Sequence, residues 1–370
     1  MKPAAQAALG RLKIWLLEAA FPVWWEGGAD RAAGGYFDRL GFDGASADAP
    51  KRVRVQARQA YAYALAPQLG WTGAAEAASR HGLEFLRRRR APDGLYRLGP
   101  RRDSDWDGMG ELYDQAFVLL ALATCRAAFG DPGLEAEADA LVERLTAFAH
   151  PIGGFAETPG LAAPLFANPN MHLFESFLAW AAVSANPAWQ ALADRQGELA
   201  LARLIDPSTG ALHEGYGPDW TRLPAPVIWP GHLYEWAWLL LRWRPEDSAA
   251  LAAARRLTDL AERRGVDRRR KVAIFALDGA LEPTDRGARL WAQTERIKAA
   301  ALIASLTGDQ DYWSVVAEAC EALERFFQTP RPGLWRDRLT HEGSFVEEPA
   351  PASSFYHIVC AIAELERLAG

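Results

Sequence analysis

YDQAFVLLALATCRAAF, residues 113–129, is long enough for a helix and apolar on nearly every face. Its only charges are Asp114 near the start and Arg126 near the end. A helix of this kind is expected to be buried on all sides. Five further stretches share its character: 55–68, 171–185, 231–243, 294–306 and 354–368. Between them lie stretches with one charged face, at 4–20, 73–90, 133–149, 187–205, 247–264 and 309–328, which read as half-exposed helices. Six buried helices alternating with six half-exposed ones suit a double ring, so an all-α fold is expected, an (α/α)6 barrel spanning 1–370 as a single domain. The competing architecture is an open solenoid of helix pairs, but its last helix would need a polar outer face. FYHIVCAIAELERL at 355–368 has none.

A small glycine signature punctuates these pairs: GGYFDRL at 34, DGLYRL at 93, GGFAET at 153, TGALHEG at 209, DGALEPT at 278 and PGLWRDRL at 332. Taken at Gly35, Gly94, Gly154, Gly210, Gly279 and Gly333, the successive gaps are 59, 60, 56, 69 and 54 residues. Glycine ahead of alternating apolar and polar residues marks a turn into a short strand. The near-constant spacing predicts short β-hairpins in the loops at one mouth of the barrel.

The net charge is -6, which disfavours nucleic acid as a partner. The arginine runs at 86–90 and 267–271 fall near helix ends, where cations are favoured. Cys125, Cys320 and Cys360 are far apart in apolar runs, so neither disulfides nor a thiolate metal site is indicated. The N-terminal stretch is broken by Arg11, Lys13 and Glu18, unlike a signal peptide. No segment reads as a membrane span, and the cytoplasm is the expected compartment.

Chemistry-bearing residues recur in phase. Arg58, Asp114, His172, His232, Glu295 and His357 each enter near the start of a buried helix, one per repeat, and should converge on one mouth. Asp114 suits either a helix-start hydrogen bond or substrate binding. His172 with Glu175, and His232 with Glu235, repeat a spacing that places both groups on one helix face. Such pairs can ligate metal, but neither the Glu-x-x-His order of di-iron bundles nor HExxH occurs, and no metal is expected. Phosphate-binding glycine loops and a GxSxG elbow are absent too. Imidazoles that take and return a proton, an arginine for developing oxyanion charge, and abundant tryptophan fit proton abstraction beside a sugar carbonyl.

RVQARQAYAYA (54–64), NPNMHLFESFLAW (168–180), WPGHLYEWAWLLLRW (229–243), RLWAQTERIKAA (289–300) and ASSFYHIVCAIAEL (352–365) resemble, in order and spacing, motifs of the N-acylglucosamine 2-epimerase family of sugar epimerases and isomerases. The resemblance implies an (α/α)6 barrel that works without a cofactor on an open-chain aldose, through a cis-enediol. His357 and His232 would be the acid and base, in either order, His172 would bind or open the sugar, and Arg58 would hold the oxygens at C1 and C2. Asn168, Glu175, Glu235, Trp238, Trp291 and Glu295 would line the pocket. The expected substrate is a free monosaccharide, with mannose–fructose isomerisation ahead of 2-epimerisation. The absence of an obvious multi-arginine pocket favours a neutral sugar. An (α/α)6 glycoside hydrolase, which needs flanking carboxylates, and a non-catalytic sugar binder are the remaining alternatives. A monomer or homodimer is expected.

Overall fold

The computed structural model describes residues 1–47, 49–97, 111–157 and 163–369. In chain order, α1 (Pro3–Trp15) passes through a π-helical turn at Leu16–Ala20 into α2 (Phe21–Glu26). There follow α3 (Val53–Leu69), α4 (Ala75–Arg87), α5 (Glu111–Phe129), α6 (Gly133–Leu145), α7 (Ala167–Val183) and α8 (Ala188–Leu199). The last five are α9 (Pro230–Trp243), α10 (Ser248–Arg264), α11 (Leu290–Thr307), α12 (Gln310–Phe326) and α13 (Phe355–Ala369). The odd-numbered helices from α3 to α13 form the inner ring, in which each touches the next and α13 returns to α3. The ring is therefore closed, as the (α/α)6 expectation requires.

Burial follows the sequence patterns that separated the two sets. Helix α9 buries every residue except Arg242. Its outer partner α10 buries one stripe, including Ala250, Ala254, Leu257 and Ala261, and exposes the opposite face. The inner helix α5 corrects one expectation: Leu112–Phe129 is long and apolar enough to cross a membrane by length and composition. Here that apolarity serves burial between α3 and α7.

Two devices close the seam between the first and last repeats. Strand β1 (Arg39–Leu40) pairs antiparallel with Ala350–Pro351, the last of ten short strands among the described residues and hence β10, setting Arg39 opposite Pro351. Beneath it Trp24 stacks on Trp335 with ring centres 4.9 Å apart. Gly333 turns here with φ +90°, and a Cβ on it would lie 2.5 Å from the Ala19 carbonyl oxygen. Only glycine meets both demands.

The hairpins form with one change of register. The bridges Ala29↔Tyr36, Arg90↔Tyr96, Ala149↔Phe155 and Ile205↔Leu212 follow the first four signatures. The fifth equivalent is β4 (Val266–Asp267) paired with β5 (Val272–Ala273), whose turn places Lys271 at φ 59°. DGALEPT instead forms the tip of a separate hairpin, β6 (Ala276–Leu277) with β7 (Pro283–Asp285). A lysine occupying a glycine-like turn explains why the glycine count slipped at this copy.

A buried side-chain amide ties hairpin to inner helix in four repeats. Gln56 accepts from the Tyr36 N–H at 2.6 Å and donates to the Tyr36 carbonyl at 3.0 Å. Gln115 does the same to Tyr96, Asn170 to Phe155 and Gln293 to Ala273. All four are wholly buried. Each satisfies the backbone groups of a hairpin too short to satisfy its own, and fixes where the next turn of inner helix enters the mouth.

Candidate active site

The hairpins and inner-helix starts enclose a cavity of about 510 Å³. That is the scale of small-ligand sites, roughly 300–1,000 Å³. The residue two positions after the amide clamp lines the cavity in two repeats, Arg58 after Gln56 and His172 after Asn170, and in a third, Glu295 after Gln293, it holds a histidine that does. In repeat 2 that position is Phe117, and the polar group delivered to the cavity is Tyr113.

His232 and His357 both line the cavity, and each has Nδ1 held by a carboxylate. His232 Nδ1 lies 2.8 Å from both oxygens of Glu214. His357 Nδ1 lies 2.8 Å from Oε1 of Glu295. A carboxylate only accepts, so Nδ1 carries the proton and Nε2 is the accepting nitrogen of each ring. Trp291 is close to both, its ring centre 5.0 Å from that of His232 and 5.8 Å from that of His357. Burial, with Arg58 and Lys298 adding to it, pushes the His357 pKa well below the usual imidazole value.

Beneath the imidazoles lies a buried charge network. Glu295 Oε2 meets Lys298 Nζ at 2.5 Å, and neither side chain is exposed. Burial opposes the Lys298 ammonium, but Cys360 and three nearby carboxylates raise its pKa, and its Nζ sits 3.8 Å from the centre of the Trp238 ring. Glu235 has no hydrogen-bond partner for either oxygen and is 1% exposed. Burial, reinforced by repulsion from Glu295, lifts its pKa well above the carboxylate range, which favours its neutral, donating form. Glu295, bonded to Lys298, carries the charge of this pair.

His172 sits between two acids, its Nδ1 3.3 Å from Glu175 and 3.9 Å from Glu235. Burial lowers its pKa to about 4 despite its bond to the Glu175 carboxylate. Tyr356 donates to the same Glu175 oxygen. Burial alone would raise the Glu175 pKa, but His172, Lys298 and Tyr356 hold it down.

Arg58 is 4% exposed and donates to the Ser353 carbonyl at 3.0 Å and the Tyr113 hydroxyl at 2.6 Å. Its guanidinium carbon lies 4.0 Å from the centre of the Phe117 ring. Among the described residues no carboxylate pairs with it, and its Nε has no partner. Asn168 also lines the cavity, with its Oδ1 unpartnered.

Of the residues expected to line the pocket, Asn168, Glu235 and Trp291 do so, together with Arg58 and the three histidines. Four do not. Helix rise is about 1.5 Å per residue, so Trp238, six residues beyond His232, sits about 9 Å deeper. There it donates to Glu364 at 3.1 Å beside a second cavity at the opposite end. Glu175 and Glu295 lie one turn or more below the cavity floor and act on histidines rather than on its space. Asp114, one residue round the helix from Tyr113, turns aside to accept from the Arg54 backbone and guanidinium, both at 3.3 Å.

The expectation of no multi-arginine pocket is also corrected. Arg39, Arg52, Arg54, Arg289 and Arg338 line the cavity beside Arg58. Arg39, Arg52 and Arg54 come from the first repeat, at FDRL and the start of α3, and Arg289 and Arg338 from the last two, at ARL and RDRL. Only ring closure brings them together. Glu214 was overlooked although it stands within TGALHEG, and Lys298 although its spacing of three from Glu295 is that of a helical ion pair.

Two groups of donors lie close enough to hold a cation: His172, Glu175 and Glu235, and Glu235, Glu295 and His357, with ligand atoms within 4.8 Å of one another. Both groups draw on Glu235, whose pKa is raised by burial, and in the second a cation would compete with Lys298 for Glu295.

A model of the N-acylglucosamine 2-epimerase (GlcNAc 2-epimerase) family matches residues 35–361. A protein of Rhizobium meliloti (strain 1021) named mannose-6-phosphate isomerase is 41% identical, over 96% of each chain. The D-mannose isomerase of Thermobifida fusca is 29% identical over 89% of each. The structure of cellobiose 2-epimerase from Bacillus thermoamylovorans B4167 shares the fold with a TM-score of 0.85 at 16% identity, covering 98% of this chain and all of that one. The chain belongs to the N-acylglucosamine 2-epimerase family, whose members are sugar epimerases and isomerases.

Proposed function

We propose that the protein is an aldose–ketose isomerase that interconverts mannose and fructose skeletons by moving a proton between C2 and C1 through a cis-enediol. The observation that carries this reading is the pair of imidazoles beside Trp291, each with Nδ1 held by a carboxylate and Nε2 left to accept. His357, kept neutral, takes the C2 proton and returns it to C1. His232 serves the oxygens during ring opening, and His172 holds the sugar. Arg58, unpaired by any described carboxylate, stabilises charge on the enediolate oxygen. Glu235, protonated, donates to the sugar oxygens, while Asn168 and the Trp291 face position the ring.

The printed names of the two relatives share mannose and differ on whether it carries a phosphate. The free, buried cysteines suit a reducing compartment such as the cytoplasm. A second reading, 2-epimerisation, draws support from the same geometry: two carboxylate-held imidazoles beside one indole supply the two proton-transfer groups that inversion at C2 requires.

The test is to incubate the protein with mannose and identify the product. Fructose is expected, and His357→Asn should lower turnover by on the order of a hundredfold or more. Glucose in place of fructose would favour the epimerase reading. No product, or unchanged turnover in His357→Asn, would overturn the proposal.

A further inference from the structure

The arginines around the cavity mouth are unequally neutralised. Arg52 faces Asp38 at 2.5 Å and Arg289 faces Asp337 at 2.6 Å, one carboxylate each. Arg39 and Arg338 share a single carboxylate, Glu348, at 3.3 and 2.7 Å. One positive charge on this pair is left over. The backbone fixes its place: Arg39 lies in β1 beside β10, while Arg338 belongs to β9 (Arg338–Leu339), directly opposite Arg289 of β8 (Ala288–Arg289).

These side chains keep donors in reserve. A guanidinium has five N–H groups, and Arg338 spends Nε and Nη2 on Glu348. Rim ion pairs ordinarily do little, but this set sits over one mouth in a chain whose net charge is -6. The excess is local and runs against the charge of the whole molecule. Depth gives its position relative to the sugar. Arg289 precedes α11 by one residue, and Glu295, which holds His357, is six residues further on, about 9 Å deeper. With C1 and C2 at the imidazoles, the substituent at C6 is the part of a hexose that reaches outward.

On the isomerase reading of this same cavity, we propose that Arg39 and Arg338, with Glu348 between them, form a subsite for a tetrahedral oxyanion at C6 of the sugar. A phosphate ester and a sulfonate share this chemistry. Both present three oxygens to forked N–H donors. Glu348 sets the strength of the subsite by competing with the incoming anion for the same donors.

The experiment compares kcat/KM for mannose, mannose 6-phosphate and the corresponding 6-deoxy-6-sulfonate, with calorimetric binding of each as a second readout. The wild-type protein is expected to prefer an anionic sugar over mannose by tenfold or more, a preference that shrinks as salt rises. Whichever anion gives the larger ratio identifies the source. Arg338→Gln and Arg39→Gln should each lower the anionic-to-neutral ratio by about tenfold, Glu348→Gln should raise it, and Arg80→Gln on the outer ring should leave it alone. Opposite signs for Arg338→Gln and Glu348→Gln separate recognition from mere support of the loop. A wild-type ratio near one, or a fall in both variants, overturns the subsite while leaving mannose turnover intact. Tighter binding of the anionic sugar with turnover of none would keep the subsite and sink the isomerase reading.

Discussion

The Nδ1 of His357 lies 2.8 Å from Oε1 of Glu295, and the other oxygen of that carboxylate lies 2.5 Å from Lys298 Nζ. One acid thus fixes the tautomer of an imidazole and neutralises a buried cation. Glu295→Gln should lower kcat by about 10–100-fold with KM little changed, because a partner that only orients acts after the sugar is bound. Steady-state kinetics on mannose check this; a rise in KM at constant kcat would show Glu295 acting on binding instead. Lys298→Met should destabilise the fold by about 3–5 kcal/mol in urea unfolding, since it strands a buried carboxylate.

Glu214 holds His232 in the same way from a different element, the bend just before the short strand Gly215–Tyr216. Glu214→Gln is expected to cost kcat about 10-fold or more. Glu214→Asp, which keeps the charge but shortens the reach, should recover only part. Equal activity of both variants and wild type would remove Glu214 from the proton machinery.

Stability should fall on mild acidification. The His172 pKa is about 4 in the fold, below the ordinary imidazole value of about 6.5, so the folded state binds fewer protons than the unfolded chain. Its contribution is fully present above pH 6.5 and is lost as pH falls toward 4, by up to about 3 kcal/mol. His357, also depressed, acts with the same sign. Glu235, whose pKa is raised, acts oppositely: its contribution holds at low pH and is lost as pH rises through its folded pKa. Urea midpoints measured from pH 7 to 4.5 should decline in the wild type and decline less in His172→Asn. A flat wild-type profile would contradict the burial of neutral histidines.

The amide clamps should be worth more than surface glutamines. Gln293→Leu removes both bonds to the Ala273 backbone and leaves a buried N–H and C=O without partners. A loss of about 3 kcal/mol is expected in chemical denaturation. Mutating exposed Gln190, which bonds only Asp194, should change stability by less than about 0.5 kcal/mol.

The double ring was legible because burial on one face or on all faces leaves opposite hydrophobic patterns, as in α10 and α9. The entry points of Arg58, His172, His232 and His357 were legible too, since the repeat sets a common phase. What escaped depends on depth and closure. Trp238 shares a helix with His232, and its place beneath the floor follows only once the cavity's depth is known. Arg39 and Arg338 lie 299 residues apart in sequence and meet only because β1 pairs with β10. The fifth turn hid behind Lys271, which takes a backbone shape usually signalled by glycine.

The central claim is proton transfer through an enediol between the two imidazoles, and solvent isotope exchange tests it most directly. Mannose and its 6-phosphate, incubated with the protein in D2O until many turnovers have passed, should give ketose carrying deuterium at C1 and recovered aldose carrying it at C2, read by proton NMR. Ketose formed with no deuterium at either carbon would indicate transfer of hydrogen without exchangeable protons and would contradict the account.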